Sequence, residues 1–326
     1  MSLEDALERY LKEKKQNASD STLYNHSSQL RQFIKWAKGE GIEKVGEVDQ
    51  WDVADFRVAR QQDLKQVTLY NQMSMLRVFI KWCESRGLLE GISENIIMPD
   101  VNDDSSDEML PRERGEKLLN ELQKYDYASL QHVCFALMWT TGMRVGATLS
   151  LDLKDYHSDE KYIELHHRPD TDTPLKNGPA SERHINLHEW VCTTIDDYIA
   201  ARRVQGTDDY GRRPLFTTKH GRVHQNTLRK RIRSLTRPCE LTNDCPYDDR
   251  DIATCEATEY SKAAQCPGSV SPHPLRRSAI TNYLNEGHPK RLVSDRMDVS
   301  VEVLENHYDA RSKDEKRELR REMFDM

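Results

Sequence analysis

The stretch His273-Pro274-Leu275-Arg276 opens a segment with helical spacing over 275–286, and thirty-two residues beyond Arg276 the chain reads Asn306-His307-Tyr308-Asp309. Residues three apart on a helix share a face, so this spacing sets His273 and Arg276 side by side. Upstream, two more basic residues stand beside turn glycines: Arg144 in Thr141-Gly142-Met143-Arg144 and Lys176 in Leu175-Lys176-Asn177-Gly178. Arginine offers planar, forked donors that stay charged at any working pH. Histidine exchanges a proton near neutrality, and lysine becomes an acid where nearby positive charge lowers its pKa. Two arginines, a lysine and a histidine suit a doubly charged phosphoryl centre, and Tyr308 can supply an oxygen nucleophile. Taken alone, each residue has an ordinary reading. Arg144 is a surface arginine after a helix-ending glycine, Lys176 a solvated turn lysine, and Tyr308 one of 13 tyrosines. Their joint order and spacing carry the information.

The surrounding segment, 110–326, reads as one domain with a buried helix over 131–142 through Val133, Phe135, Ala136, Leu137 and Trp139. Leu110-Pro111-Arg112-Glu113 opens an earlier helix. Tyr162-Ile163-Glu164-Leu165 and Arg183-His184-Ile185-Asn186-Leu187 alternate as strands on either side of the Lys176 turn. Further helices are expected near 188–203, 225–236, 275–286 and 291–297. Residues 1–97 read as helical, with Leu3, Leu7, Tyr10 and Leu11 at helical spacing and Ser21 or Thr22 placed to cap the next helix. An internal echo runs through this part: Thr22-Leu23-Tyr24-Asn25 and Phe33-Ile34-Lys35-Trp36 recur as Thr68-Leu69-Tyr70-Asn71 and Phe79-Ile80-Lys81-Trp82, an offset of 46. Two helical hairpins packed by equivalent aromatics explain it, with Arg31, Lys35, Arg77 and Lys81 placed for phosphate contacts. Between the domains, residues 98–109 are rich in Asp, Ser and Pro without periodicity, an acidic linker. The expected fold class is mainly α with a small antiparallel β-sheet (α+β).

Bulk composition points elsewhere. Hydrophobic content is 37%, charged content 32% and the net charge −7, which argues against a uniformly basic nucleic-acid binder and leaves only a local basic face. Mean hydropathy is −0.83, and no apolar run approaches a membrane span. The N-terminus lacks the pattern of an export signal, so a cytoplasmic protein is expected. The 7 cysteines are then thiols or metal ligands, not disulfides.

The set Arg144, Lys176, His273, Arg276 and Tyr308 resembles that of the tyrosine recombinase (phage-integrase, Xer-like) family, most closely its haloarchaeal branch, over nearly the whole chain. That resemblance implies a helical SAM-like arm domain, a catalytic domain, double-stranded DNA as partner, and tetramers on paired sites. It implies cleavage through a 3′-phosphotyrosyl intermediate, with no cofactor for catalysis. Arg144 and Arg276 would stabilise the phosphorane, Lys176 protonate the leaving 5′-oxygen and His273 accept the tyrosine proton. Two positions depart from the pattern. Val299 stands where the family usually has histidine or tryptophan, which leaves the phosphate clamp one hydrogen bond short, and His307 is a candidate substitute. Ala147 replaces an acidic residue that often supports the first arginine. Val299 favours one alternative, a catalytically impaired, zinc-stabilised DNA-binding regulator of the same fold; another is a type IB-like relaxing topoisomerase.

Cys239, Cys245, Cys255 and Cys266 lie in one polar insert, 239–266, and suit a structural zinc, although no Cys-x-x-Cys knuckle is present. Cys83, Cys134 and Cys192 read as core residues. The densest basic run is Arg222, Arg229, Lys230, Arg231, Arg233 and Arg237, most of it on a helix that Asn226 or Thr227 is placed to cap. Its residues Arg222, Arg229, Lys230, Arg231 and Arg233 are candidate contacts to the DNA backbone, with the salt sensitivity such contacts bring.

Overall fold

The computed structural model describes residues 1–100, 108–247 and 250–308, with Asp314, Arg317 and Arg321 of the tail. Most of the 98–109 segment and the tail beyond Tyr308 lie outside the described residues. The chain divides into two compact units, Met1–Ser106 and Asp107–Met326.

In the first unit the sequence echo becomes a packing repeat. Helices α1 (Leu3–Lys14) and α2 (Asp20–Gly39) are followed by α3 (Gln50–Gln61) and α4 (Gln66–Ser85), and α2 and α4 have equal length at the offset of the echo. Leu30, Phe33 and Ile34 of α2 and their counterparts Leu76, Phe79 and Ile80 of α4 are all buried. Tyr10 of α1 meets Phe79 and Trp82 edge-on, with ring centroids 5.5 and 5.6 Å away. Such aromatic pairs add about 0.5–1.5 kcal/mol each beyond their buried area. The tyrosines of the two echoes, Tyr24 and Tyr70, are exposed and take no part in this core. Ser19, not Ser21 or Thr22, caps α2: its backbone is still extended and its Oγ accepts from the Thr22 N–H, by which point the chain is already helical.

The second unit is built around α6 (Leu130–Thr141), whose residues Val133 to Met138 are fully buried. Around it pack α5 (Arg112–Tyr125), α7 (Val145–Ser150), α8 (Glu189–Asp197, extended by a π turn to Arg202), α9 (Gln225–Leu235) and α11 (Pro272–Asn285). Strands β1 (Tyr156–His157), β2 (Tyr162–Leu165) and β3 (Arg183–Asn186) form an antiparallel sheet with Ile163 opposite Ile185, both inward. A second ribbon joins β4 (Thr217–Thr218) to β5 (Gly221–Arg222). The short α10 (Pro238–Thr242) starts the cysteine-containing insert, and α12 (Lys290–Met297), α13 (Val301–Val303) and a π turn over Leu304–Tyr308 complete the described chain. This is the α+β class expected. Among the described residues, no helix is long and apolar enough to cross a membrane.

A buried ion network fixes the sheet to the helices. Asp152, almost fully enclosed, accepts from Arg212 at 2.9 and 3.0 Å and from Arg222 at 2.5 Å. Arg168 grips Asp155 with both Nη atoms at 2.7 and 2.6 Å. Arg222 also binds Asp208 and the carbonyls of Leu149 and Leu151. All its donors are therefore spent inside the domain. Arg222 is a brace of the fold and does not belong to an open basic face.

Candidate active site

Arg144 is placed by the turn that precedes it. α6 ends at Gly142 in the left-handed region (φ 63), and a Cβ there would lie 2.8 Å from the Met297 sulfur. Glycine is thus required both by conformation and by the close approach of α12. Arg144 follows as the extended N-cap of α7, and its Nη1 pairs with the Asp298 carboxylate. Arg276, one turn into α11, is buried and reaches the same two segments: its Nη1 donates to the Gly142 carbonyl (2.7 Å) and its Nη2 to the Asp298 carbonyl (3.3 Å). Burial, reinforced by the charge of Arg144, lowers the Arg276 pKa to about 10, while nearby Tyr308 opposes the shift electrostatically. Arg276 remains a cation at neutral pH.

Tyr308 is buried in a small satellite core with Ile280, Leu284, Val293, Met297, Val299 and Leu304. Its backbone carbonyl accepts from Thr281 Oγ1 at 3.0 Å, which pins the π turn to α11. The His273 ring meets the Tyr308 ring edge-on at 6.3 Å between centroids. Partial desolvation of the imidazole, together with the charges of Arg276, Arg277 and Arg144, holds His273 below the ordinary histidine pKa. Its neutral form therefore dominates at pH 7, the form that can accept a proton. Arg144, His273, Arg276 and Tyr308 are thus brought together. Lys176 sits on an exposed turn beside them, with no hydrogen bond or ion pair among the described residues, while the adjacent Asn177 ties the turn to Asp298 Oδ1 at 3.0 Å.

The residue that organises this arrangement is Asp298. Besides Arg144 and Asn177 its carboxylate accepts from Ser181 Oγ at 2.8 Å. Burial penalises its charge, but the hydrogen bonds from Ser181 and Asn177 and the charges of Arg144 and Arg183 outweigh that and hold its pKa below the usual aspartate value. It occupies the left-handed region (φ 52), where aspartate is among the few side chains tolerated. Ala147 therefore does not leave Arg144 unsupported; the carboxylate arrives from the other end of the domain. Val299 packs its side chain into the satellite core, and its carbonyl accepts from Ser294 Oγ at 2.6 Å, so it offers the cleft no side-chain donor. The side chain of His307 lies outside the described residues.

Sequence comparison decides the ancestry. The profile of the phage integrase family matches residues 108–315, and that of the phage integrase N-terminal SAM-like domain matches residues 5–87. The chain belongs to the phage integrase family. It is a tyrosine recombinase, a site-specific DNA strand transferase whose reaction needs no cofactor. No curated protein sequence matches this recombinase. Its fold is similar to that of the Tn1549 transposon integrase in complex with transposon right end DNA, at 14% identity and a TM-score of 0.70 over 100% of each chain. It is similar too to a lambda integrase dimer bound to a COC′ core site, at 13% identity and a TM-score of 0.65 over 96% of this chain and 79% of that one. At such identities the likeness concerns the fold.

Two other expectations meet the recombinase structure differently. On α9, Leu228, Ile232 and Leu235 face the core, while Arg229 and Lys230 are exposed and Arg233 half-exposed, none of the three in an ion pair among the described residues. Arg231 instead turns toward α6, its Nη1 3.4 Å from Gln131 Oε1, and Arg237 is buried against Glu240. His224 caps α9 in place of Asn226 or Thr227, accepting from the Asn226 N–H at 3.2 Å. The zinc expectation is not supported. Among the described residues no group of three or more His, Cys, Asp or Glu side chains is placed to hold a metal ion. Burial raises the Cys239 thiol against the pull of Arg237, with Cys266 and Cys245 adding to the rise, and Cys255 heads a turn over Glu256–Thr258. Polar anchors hold the insert instead: Thr236 Oγ1 to the Val270 carbonyl (3.1 Å), Ser269 Oγ to the Arg233 carbonyl (2.9 Å) and Tyr260 Oη to the Thr227 carbonyl (3.3 Å). Cys83, Cys134 and Cys192 are core thiols, as expected.

Proposed function

We propose that this recombinase cuts and rejoins double-stranded DNA with the five residues acting as follows. The Tyr308 oxygen attacks the scissile phosphorus, its proton passing to neutral His273. The P–O bond to the 5′-oxygen breaks, and Lys176 donates the proton that makes that oxygen a free hydroxyl. Arg144 and Arg276 carry the negative charge of the phosphorane, a stabilisation for which one donor is commonly worth about 2.7–4 kcal/mol. The 3′-phosphotyrosyl bond conserves the bond energy, so a 5′-hydroxyl of a second strand can reverse the step without ATP. The observation that carries this reading is the Tyr308 ring set edge-on to His273, with the backbone of Tyr308 pinned to the helix that carries His273 and Arg276.

Arg229, Lys230 and Arg233 are the contacts to the DNA backbone on this reading, and the 98–109 segment is the linker between domains 1–97 and 110–326. A homo-tetramer on paired sites, acting in the cytoplasm, is the assembly we favour; lambda integrase has been solved as a tetramer bound to a Holliday junction. The test is covalent trapping on nicked suicide duplexes drawn from DNA flanking the gene. Wild-type protein should form an SDS-resistant adduct, and Tyr308→Phe should form none. An adduct with Tyr308→Phe would end the nucleophile assignment, and supercoil relaxation without joining between two sites would favour a topoisomerase.

A further inference from the structure

We propose that Arg183 is a third guanidinium on the scissile phosphate, supplying the donor that Val299 cannot. The proposal rests on the strand-transfer reading above and adds a residue to it. Arg183 opens β3 and lines the same cleft as Arg144, Asn177, Asp298 and Val299. Two of its nitrogens are engaged: Nε donates to the Arg296 carbonyl at 2.9 Å and Nη1 to the Ser181 carbonyl at 2.8 Å. Those bonds fix the plane of the guanidinium between β3 and the end of α12. Nη2 has no partner among the described residues, and Arg183 forms no ion pair there.

Arg203, Arg212 and Arg222 differ in this respect. Arg203 has all three nitrogens engaged, by Pro214, Gln205 and Gly206, and Arg212 and Arg222 are each closed on carboxylates and backbone oxygens. The spare Nη2 is not sealed from solvent, so an anion entering the cleft can complete it. Burial is the main influence on Arg183 and lowers its pKa; Asp298 acts against this and Arg144 with it. Arg276 in turn responds to the charges of both Arg144 and Arg183, so the three cations form one electrostatic cluster. Asp298 is the carboxylate bonded within that cluster, and three guanidiniums against one carboxylate leave a surplus of two positive charges. A pentacoordinate phosphorane carries about that charge with the opposite sign. Arg183 thus fits as a contact to a non-bridging oxygen, with the bonds to Arg296 and Ser181 holding it in place before DNA arrives.

The test compares two nicked suicide duplexes on which wild-type protein forms its covalent adduct. One carries the normal phosphodiester. The other carries a methylphosphonate at the scissile position, in which an uncharged methyl replaces one non-bridging oxygen. Arg183→Met should trap about 10²–10³-fold more slowly than wild type on the phosphodiester. It should recover to within about tenfold of wild type on one methylphosphonate diastereomer, because the charge it served is gone. Arg183→Lys, which keeps a cation, should lose less, and both variants should melt near the wild-type Tm. Normal trapping by Arg183→Met would overturn the proposal, as would an equal loss on both duplexes by a variant that melts normally. A wild-type protein that makes no adduct on any duplex would instead remove the strand-transfer reading itself.

Discussion

At the scale of single residues, proton transfer and arginine support give separate predictions. His273 must be neutral to accept the Tyr308 proton, and its pKa lies below the ordinary histidine value. Activity should therefore persist as pH falls to about 6.5 and decline only as the still lower His273 value is crossed. Single-turnover trapping against pH should show that acid limb, and His273→Gln should lack it; a limb above the ordinary histidine range would contradict the assignment. Asp298 holds Arg144 and the Lys176 turn together, and a hydrogen bond to a charged group contributes about 1.5–3 kcal/mol. Asp298→Gly, which suits the left-handed backbone while deleting the carboxylate, should slow trapping by roughly tenfold to a hundredfold. DNA affinity measured with a non-cleavable duplex should change little. Unchanged trapping would show that Arg144 needs no such support. That Arg144, His273, Arg276 and Tyr308 belong together was legible because family spacing marks them along the chain. Asp298 and Arg183 were not, since their bonds join residues such as Arg144 and Asp298 or Arg183 and Arg296, which lie far apart in sequence and meet only in the folded domain.

Helices and strands separate charges that composition lumps together. The basic run from Arg222 to Arg237 reads as one patch in the sequence, yet the end of β5 turns Arg222 into the ion network while α9 turns Arg229, Lys230 and Arg233 outward. Each of Arg229→Gln, Lys230→Gln and Arg233→Gln should lower the slope of log affinity against log salt by about 0.9. Arg222→Gln should leave that slope unaltered and destabilise the domain by about 3–5 kcal/mol, because Asp152 and Asp208 lose a partner. Urea melts and salt-dependent binding of the four variants distinguish the two roles. A slope change with intact stability in Arg222→Gln would restore it to the DNA face. The repeat of the first unit was readable because equivalent apolar positions pack equivalently. The zinc reading of the insert found no support, because cysteine spacing says nothing about where a polar loop, anchored by Thr236, Ser269 and Tyr260, carries its thiols.

For the molecule as a whole, a net charge of −7 coexists with a cationic centre, so DNA recognition depends on where the charges lie and not on their sum. Tyr308 lies beside Arg276 of its own chain, which predicts cleavage within one subunit if Tyr308 is the nucleophile. A mixture of Tyr308→Phe and Arg276→Ala proteins should then form no adduct, whereas recovered cleavage would mean that tyrosines are exchanged between subunits. The central claim is that Tyr308 forms the covalent bond to DNA, and peptide mapping of the wild-type adduct tests it most directly. Trypsin should release the DNA-linked peptide spanning 297–311, whose one tyrosine is Tyr308. A DNA-linked peptide from elsewhere in the chain, or a gel shift on a cognate duplex with no covalent species at all, would contradict it.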